Sequence, residues 1–95
     1  MDIQQPVKRL IESPLYEKNK NKITENTKLL DTVLEGVTFS IASKPDTFPS
    51  LDEYGTRSAK TDEALGLPEL TIFFKEEDQH IYLMNIQPTP NPSRI

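Results

Sequence analysis

The clearest pattern of apolar and polar positions lies between Thr24 and Ser43. Ile23, Leu30, Leu34, Val37 and Ile41 follow one another at spacings of seven, four, three and four, which puts them on one stripe of a helix. Leu29 and Val33 widen that stripe, while Asp31, Thr32, Glu35 and Thr38 fall outside it. Thr24 or Asn26 can cap the start. Lys44-Pro45 closes the helix, because a residue before proline is pushed out of the α region. Twenty residues make a rod of roughly 30 Å, as long as a small domain is wide. Gly36 and several β-branched residues lower its intrinsic propensity, so packing against a sheet must hold it.

Upstream, Val7 to Ser13 reads as a short strand. Ser13-Pro14 then signals a helix start: the hydroxyl accepts an orphan N–H, and proline suits the first helical position. A short helix from Pro14 to about Asn21 follows, with Leu15 and Tyr16 as its large apolar anchors. Downstream, Asp46 to Gly55 reads as loop and Thr56 to Thr61 as a short strand. Asp62 to Pro68 is loop again, with a helical turn at Asp62–Leu65.

Two alternating segments come next. Leu70, Ile72 and Phe74 point one way and Thr71, Phe73 and Lys75 the other; Ile81 and Leu83 oppose Tyr82, Met84 and Ile86. Glu76 to Gln79 joins them as a hairpin. Apolar residues on both faces predict that these strands are central, with the long helix covering one side. Pro88, Pro90 and Pro92 then favour polyproline II or disorder and forbid a further strand. The expectation is an α+β domain in the order β-α-α-β-β-β, with two N-terminal helices on one face of a small, mainly antiparallel sheet. Residues 1–86 form that domain and 87–95 a Pro-rich tail.

Length sharpens this picture. Ninety-five residues, 35% of them hydrophobic, support one modest core and exclude a second domain or a doubly wound nucleotide-binding sheet. Without cysteine there is no disulfide, thiolate metal site or thiol nucleophile. The first residues have neither the basic nor the apolar region of a secretory signal, so the expectation is a soluble, cytoplasmic protein with no membrane segment.

A net charge of −4 argues against a general nucleic-acid binder, whose affinity comes from Lys and Arg on phosphates. The charge is uneven. Residues 1–30 carry six bases (Lys8, Arg9, Lys18, Lys20, Lys22, Lys28) against four acids (Asp2, Glu12, Glu17, Glu25). The rest is acidic and suits a basic partner. Lys18-Asn19-Lys20-Asn21-Lys22 is either a solvated helix face or a phosphate-contacting patch.

Candidate chemistry is sparse. His80 cannot bind a metal alone; at the start of a strand it is a strand-edge residue or an acid–base group. Glu76-Glu77-Asp78 keeps a hairpin tip soluble or holds a divalent cation weakly. Tyr54, Arg57 and Lys60 form one mixed group, read either as cations guarding an edge strand or as a phosphate or partner contact. No Gly-x-Ser-x-Gly elbow or phosphate-cradling glycine loop occurs. No metal or organic cofactor is implied.

Several of these segments resemble RelE/ParE-type toxins of bacterial toxin–antitoxin pairs, the group that includes plasmid-stabilisation proteins. Ile11-Glu12-Ser13-Pro14-Leu15-Tyr16 is similar to the end of their first strand and the start of their first helix. Ile41-Ala42-Ser43-Lys44-Pro45-Asp46 looks like the close of their second helix, and Thr56-Arg57-Ser58-Ala59-Lys60-Thr61 like the strand that follows. Leu70–Phe74 with Ile81–Ile86 looks like their closing hairpin.

The resemblance implies a growth-arrest toxin that acts on translation by mRNA cleavage, or on another essential target, and is neutralised by an antitoxin. If it is an enzyme, it is a metal-independent ribonuclease that contacts the ribosome and mRNA. Arg57 and Lys60 then offset phosphate charge, with His80 as the available acid or base. Leu70 and Thr71 stand where the family carries an arginine, so the chain looks like a catalytically reduced member. Two other readings stand beside this one. The first is a non-catalytic protein-interaction module on the same fold; the second is an unrelated small enzyme that uses His80.

Overall fold

The computed structural model describes residues 8–90. Val7, at the head of the predicted first strand, and residues 91–95 of the tail lie outside the described residues. The order is β1 (Arg9–Glu12), α1 (Pro14–Ile23), α2 (Thr27–Ser43), a 3-10 turn (Pro45–Thr47), β2 (Thr56–Lys60), β3 (Leu70–Glu76) and β4 (His80–Pro88). The strands form one sheet in the order β1-β4-β3-β2. β3 pairs antiparallel with both its neighbours, while β1 lies parallel to β4. The predicted element order therefore holds, and the sheet is mixed.

Local chemistry sets the helix boundaries. Ser13 is extended (φ −72°, ψ 161°) and its Oγ accepts the Tyr16 N–H at 3.0 Å, with Pro14 behind it. Asn26 caps α2 by accepting the Leu29 N–H at 3.1 Å, and Thr24 Oγ1 accepts the Asn26 N–H. Thr24 to Asn26 is thus a turn, and α2 starts three residues later than its apolar stripe suggests. Leu30, Leu34 and Ile41 of the stripe are buried, with Ile23 and Val37 packed against the same core. From the sheet, Ala59, Leu70, Ile72, Phe74, Ile81, Leu83 and Ile86 complete it, and Tyr16 joins from α1.

Three local features differ from the sequence expectation. Ile86 shares the core with Ile81 and Leu83 instead of opposing them, because the register shifts at Phe73/Phe74. Phe74 pairs with Leu83 and Phe73 with Asn85, which leaves Met84 as an extra residue. Asp62–Leu65 is not a helical turn. Ala64 and Leu67 exchange backbone hydrogen bonds around Leu65 (φ 55°) and Gly66 (φ 83°), a two-residue reverse turn with both central residues left-handed.

Finally, β4 takes in Gln87 and Pro88, two residues into the segment read as tail. The Thr89 N–H donates to Glu69 O at 2.9 Å, and alternate amides of an antiparallel strand face its partner. Pro88 therefore occupies a position whose N–H would point away from β3, so its missing donor costs nothing.

Side chains and loops cover β4 beyond the end of β1 and the outer edge of β2. β1 reaches only as far as Leu83 of β4. Beyond it, Ser13 Oγ donates to Met84 O at 2.8 Å, and Asn85 Oδ1 accepts both the Ile86 N–H and the Asn19 side-chain amide. Along β2, the Leu51 N–H donates to Thr56 O and the Ser58 N–H to Pro49 O. Such cover blunts an edge that would otherwise pair with another chain. Ser13 serves both the α1 cap and the β4 edge, and it is buried. Ser13→Ala is expected to cost about 1–2 kcal/mol in urea denaturation, the usual worth of a cap. A loss under about 0.5 kcal/mol, the range of a neutral surface change, contradicts this double role.

Candidate functional site

Arg57 occupies the helix-packed side of β2, in register with Phe74. Its Nη1 donates to Phe48 O at 2.6 Å, and the Phe48 ring meets Phe74 edge-on with centroids 5.6 Å apart. This guanidinium clamps the segment after α2 onto the sheet. Lys60 ends β2, exposed, beside an open cleft of about 390 Å³ that Thr32 and Gly36 of α2 and Leu65 also line. His80 begins β4 at the opposite end of the sheet, where its carbonyl accepts the Glu77 N–H at 2.8 Å. Lys60 is level with Thr71 and His80 with Glu77, six residues apart on β3 and its turn. At ~3.3 Å per residue that is about 20 Å along the strands, with two strand spacings across. The three candidates do not form one centre.

The other sequence candidates also separate. Tyr54 is exposed in the turn before β2, where Asp52 Oδ1 accepts the Tyr54 and Thr56 N–H groups. The Thr56 amide first, and then its hydroxyl and the Tyr54 amide, hold the Asp52 carboxyl below the usual aspartate range. Lys20 lies 3.2 Å from Glu12 and 3.5 Å from Asp31, tying α1 to β1 and α2, while Lys18 and Lys22 are exposed. The acids between 62 and 78 divide between the two ends of β3: Asp62, Glu63 and Glu69 at one, Glu76, Glu77 and Asp78 at the other. Among the described residues no group of His, Asp and Glu could hold a metal ion. No described helix is long and apolar enough to cross a membrane.

What the fold does assemble is the face of the sheet turned away from the helices. Successive strand residues point to opposite faces, so the buried positions fix which residues share the other one. Arg9 and Ile11 lie beside His80 and Tyr82; Tyr82 pairs with Lys75, Lys75 with Thr56, Phe73 with Ser58 and Thr71 with Lys60. None of these belongs to the core.

Two acids occur within the strands, Glu12 and Glu76, and both lie on the helix side, in register with Leu83 and Ile81. Their partners agree. Glu12 meets Lys20 of α1, and Glu76 meets Lys8 at 2.6 Å. Arg9 and Lys75 are exposed, Ile11, Phe73, His80 and Tyr82 are half-buried, and Ser58 and Thr71 are buried; Lys60, exposed at the strand end, also borders the cleft against α2. The open face is therefore cationic and aromatic in a chain whose net charge is −4. Asp52 lies near enough to Lys75 to feel its charge, and Glu77 and Asp78 mark one end in the hairpin turn.

The sequence reading missed this set because Arg9, Lys60 and Lys75 are far apart in the chain. The alternation of Thr71, Phe73 and Lys75 was the visible signal, and the register supplied the rest. No protein-family model matches the chain, and no curated protein is significantly similar to it.

Proposed function

We propose that the chain is a non-catalytic interaction module, on a scaffold resembling that of the RelE/ParE-type toxins, and that its contact surface is the open face of the sheet. The separation of Arg57, Lys60 and His80 carries this reading. In metal-free phosphodiester cleavage, cations and an acid–base group must meet at one phosphate, within hydrogen-bond reach of the reacting atoms. Here about 20 Å separates the rows of Lys60 and His80, and Arg57 is engaged by a backbone carbonyl.

A second reading, an active toxin neutralised by an antitoxin and acting on mRNA at the ribosome, draws support from the β-α-α-β-β-β order and from the Ser13-Pro14 and Lys44-Pro45 boundaries. Induced expression in a bacterial host separates the two. The module leaves growth and bulk translation unchanged, and the purified chain leaves RNA intact. Growth arrest with mRNA cleavage, abolished by His80→Ala or Lys60→Ala, overturns the non-catalytic reading.

A further inference from the structure

We propose that the cleft between α2 and the Ala64–Leu67 turn binds a free α-amino acid with a branched aliphatic side chain, Lys60 taking its carboxylate and Asp62 its ammonium group. The cleft lies on the helix side of the sheet, and Lys60 is the residue it shares with the open face. Two residues there are poor choices for the fold by itself. Gly36 sits near the middle of α2, where glycine is the least favourable residue after proline. Nothing lies within 4 Å of where its side chain would begin, so close packing does not require it. Leu65 takes a left-handed position (φ 55°) that glycine or asparagine fills at little cost, and its side chain is 60% exposed. Both border the same space of about 390 Å³. Local choices that weaken the fold and meet in one cleft mark a site built for something other than stability.

Size and charge select the ligand. Ligand pockets run from about 300 to 1,000 Å³, so this one admits a metabolite of amino-acid size. Its charged lining is one cation and one acid, Lys60 and Asp62, both exposed and two residues apart at the end of β2. Neither forms an ion pair with another described residue. A zwitterion offsets both charges; a plain carboxylate leaves Asp62 facing an anion, and a plain amine leaves Lys60 facing a cation. A nucleotide finds a single cation for its phosphates and no aromatic ring for its base.

Thr61, nine-tenths buried, also lines the cleft. Its Oγ1 accepts the Leu70 N–H at 2.9 Å, so its O–H remains to donate to the carboxylate. Val33, Val37 and Leu65 supply an aliphatic wall, and Gly36 leaves room for the branched end of the ligand. The cleft is open to solvent, so affinity is modest: a ligand of about nine non-hydrogen atoms gives a dissociation constant on the order of 1 mM.

Titration of the nitrogen-labelled chain with L-leucine, followed by amide chemical shifts, tests the assignment. Saturable shifts are expected at Gly36, Thr61 and Leu65, with Phe73 and Tyr82 on the open face unmoved. Leucinamide and isocaproate, each lacking one charge, should bind about tenfold more weakly, as should glycine, which lacks the side chain. Gly36→Leu fills the space and should abolish the shifts at Thr61 and Leu65 while leaving the chain at least as heat-stable. Lys60→Met should weaken binding about tenfold. Lys60 is exposed, so this variant keeps the fold and decides the matter even if Gly36→Leu does not fold. No saturable shift at about ten times the expected dissociation constant, glycine or isocaproate binding as tightly as leucine, or undiminished binding by Gly36→Leu or Lys60→Met overturns the proposal.

Discussion

Phe74→Ala is expected to remove about 3–5 kcal/mol of stability, the range for emptying a buried aromatic site. Phe74 is fully buried at the middle of β3, among Ile72, Leu83 and the apolar stripe of α2. Its ring also supports Phe48, which meets it at 89° and whose carbonyl accepts the Arg57 guanidinium. A domain of this length has about 5–14 kcal/mol in total, so the loss is a large fraction of it.

The damage should reach beyond the cavity. With Phe48 unsupported, the segment that covers the β2 edge loosens, and the Ser58 amide, which donates to Pro49 O, should lose hydrogen-exchange protection early. Urea denaturation gives the magnitude and exchange gives the location. Tyr54→Ala, at an exposed ring, is the comparison and should stay within about 0.5 kcal/mol of the parent. A Phe74→Ala loss below 1 kcal/mol means that Phe48 or a neighbour fills the space, and the clamp around Arg57 is then not as described.

The parts of the fold that could be read in the sequence are those governed by neighbours in the chain. The α2 stripe, the Ser13-Pro14 start, the Lys44-Pro45 stop and the hairpin between Phe74 and Ile81 each depend on residues a few positions apart. What could not be read depends on pairing. β1 lies parallel to β4, about seventy positions away, and no local pattern names a strand's partner. The extra residue at Met84 carries no local signature such as glycine, so strict alternation put Ile86 on the wrong face. Leu65 adopts a left-handed conformation that its side chain disfavours, and the turn is held by the Ala64–Leu67 bonds.

The same division runs through the candidate site. Arg57 was legible as a cation on a strand, but its role is to hold Phe48 O. The open face needs the register of four strands before Arg9, Lys60 and Lys75 become neighbours of two aromatic rings.

The second large effect is alkaline instability centred on Tyr16. Its side chain is almost wholly buried under the helices. Burial first, and then the negative charges of Glu12 and Asp31, push its phenol well above the usual tyrosine range. The direction of the linkage follows. Below pH ~10 the phenol is protonated both folded and unfolded, so it adds no pH dependence. Above pH ~10 the unfolded chain releases this proton while the folded chain keeps it, and the unfolded state gains about 1.4 kcal/mol per pH unit.

By pH ~12 the loss attributable to this one group reaches about 2–3 kcal/mol. Tyr16→Phe keeps the ring and removes the proton, so the variant should become more stable than the parent, by that amount, relative to their difference at pH ~8. Other groups that titrate in alkali act on both proteins and cancel in the comparison. Lys20, held between Glu12 and Asp31, offsets part of their charge, which fits burial as the larger cause. A parent–variant difference that stays constant from pH ~8 to ~12 means that the phenol reaches solvent in the folded chain, and α1 is then not seated over β4 as the Ser13 and Asn19 hydrogen bonds place it.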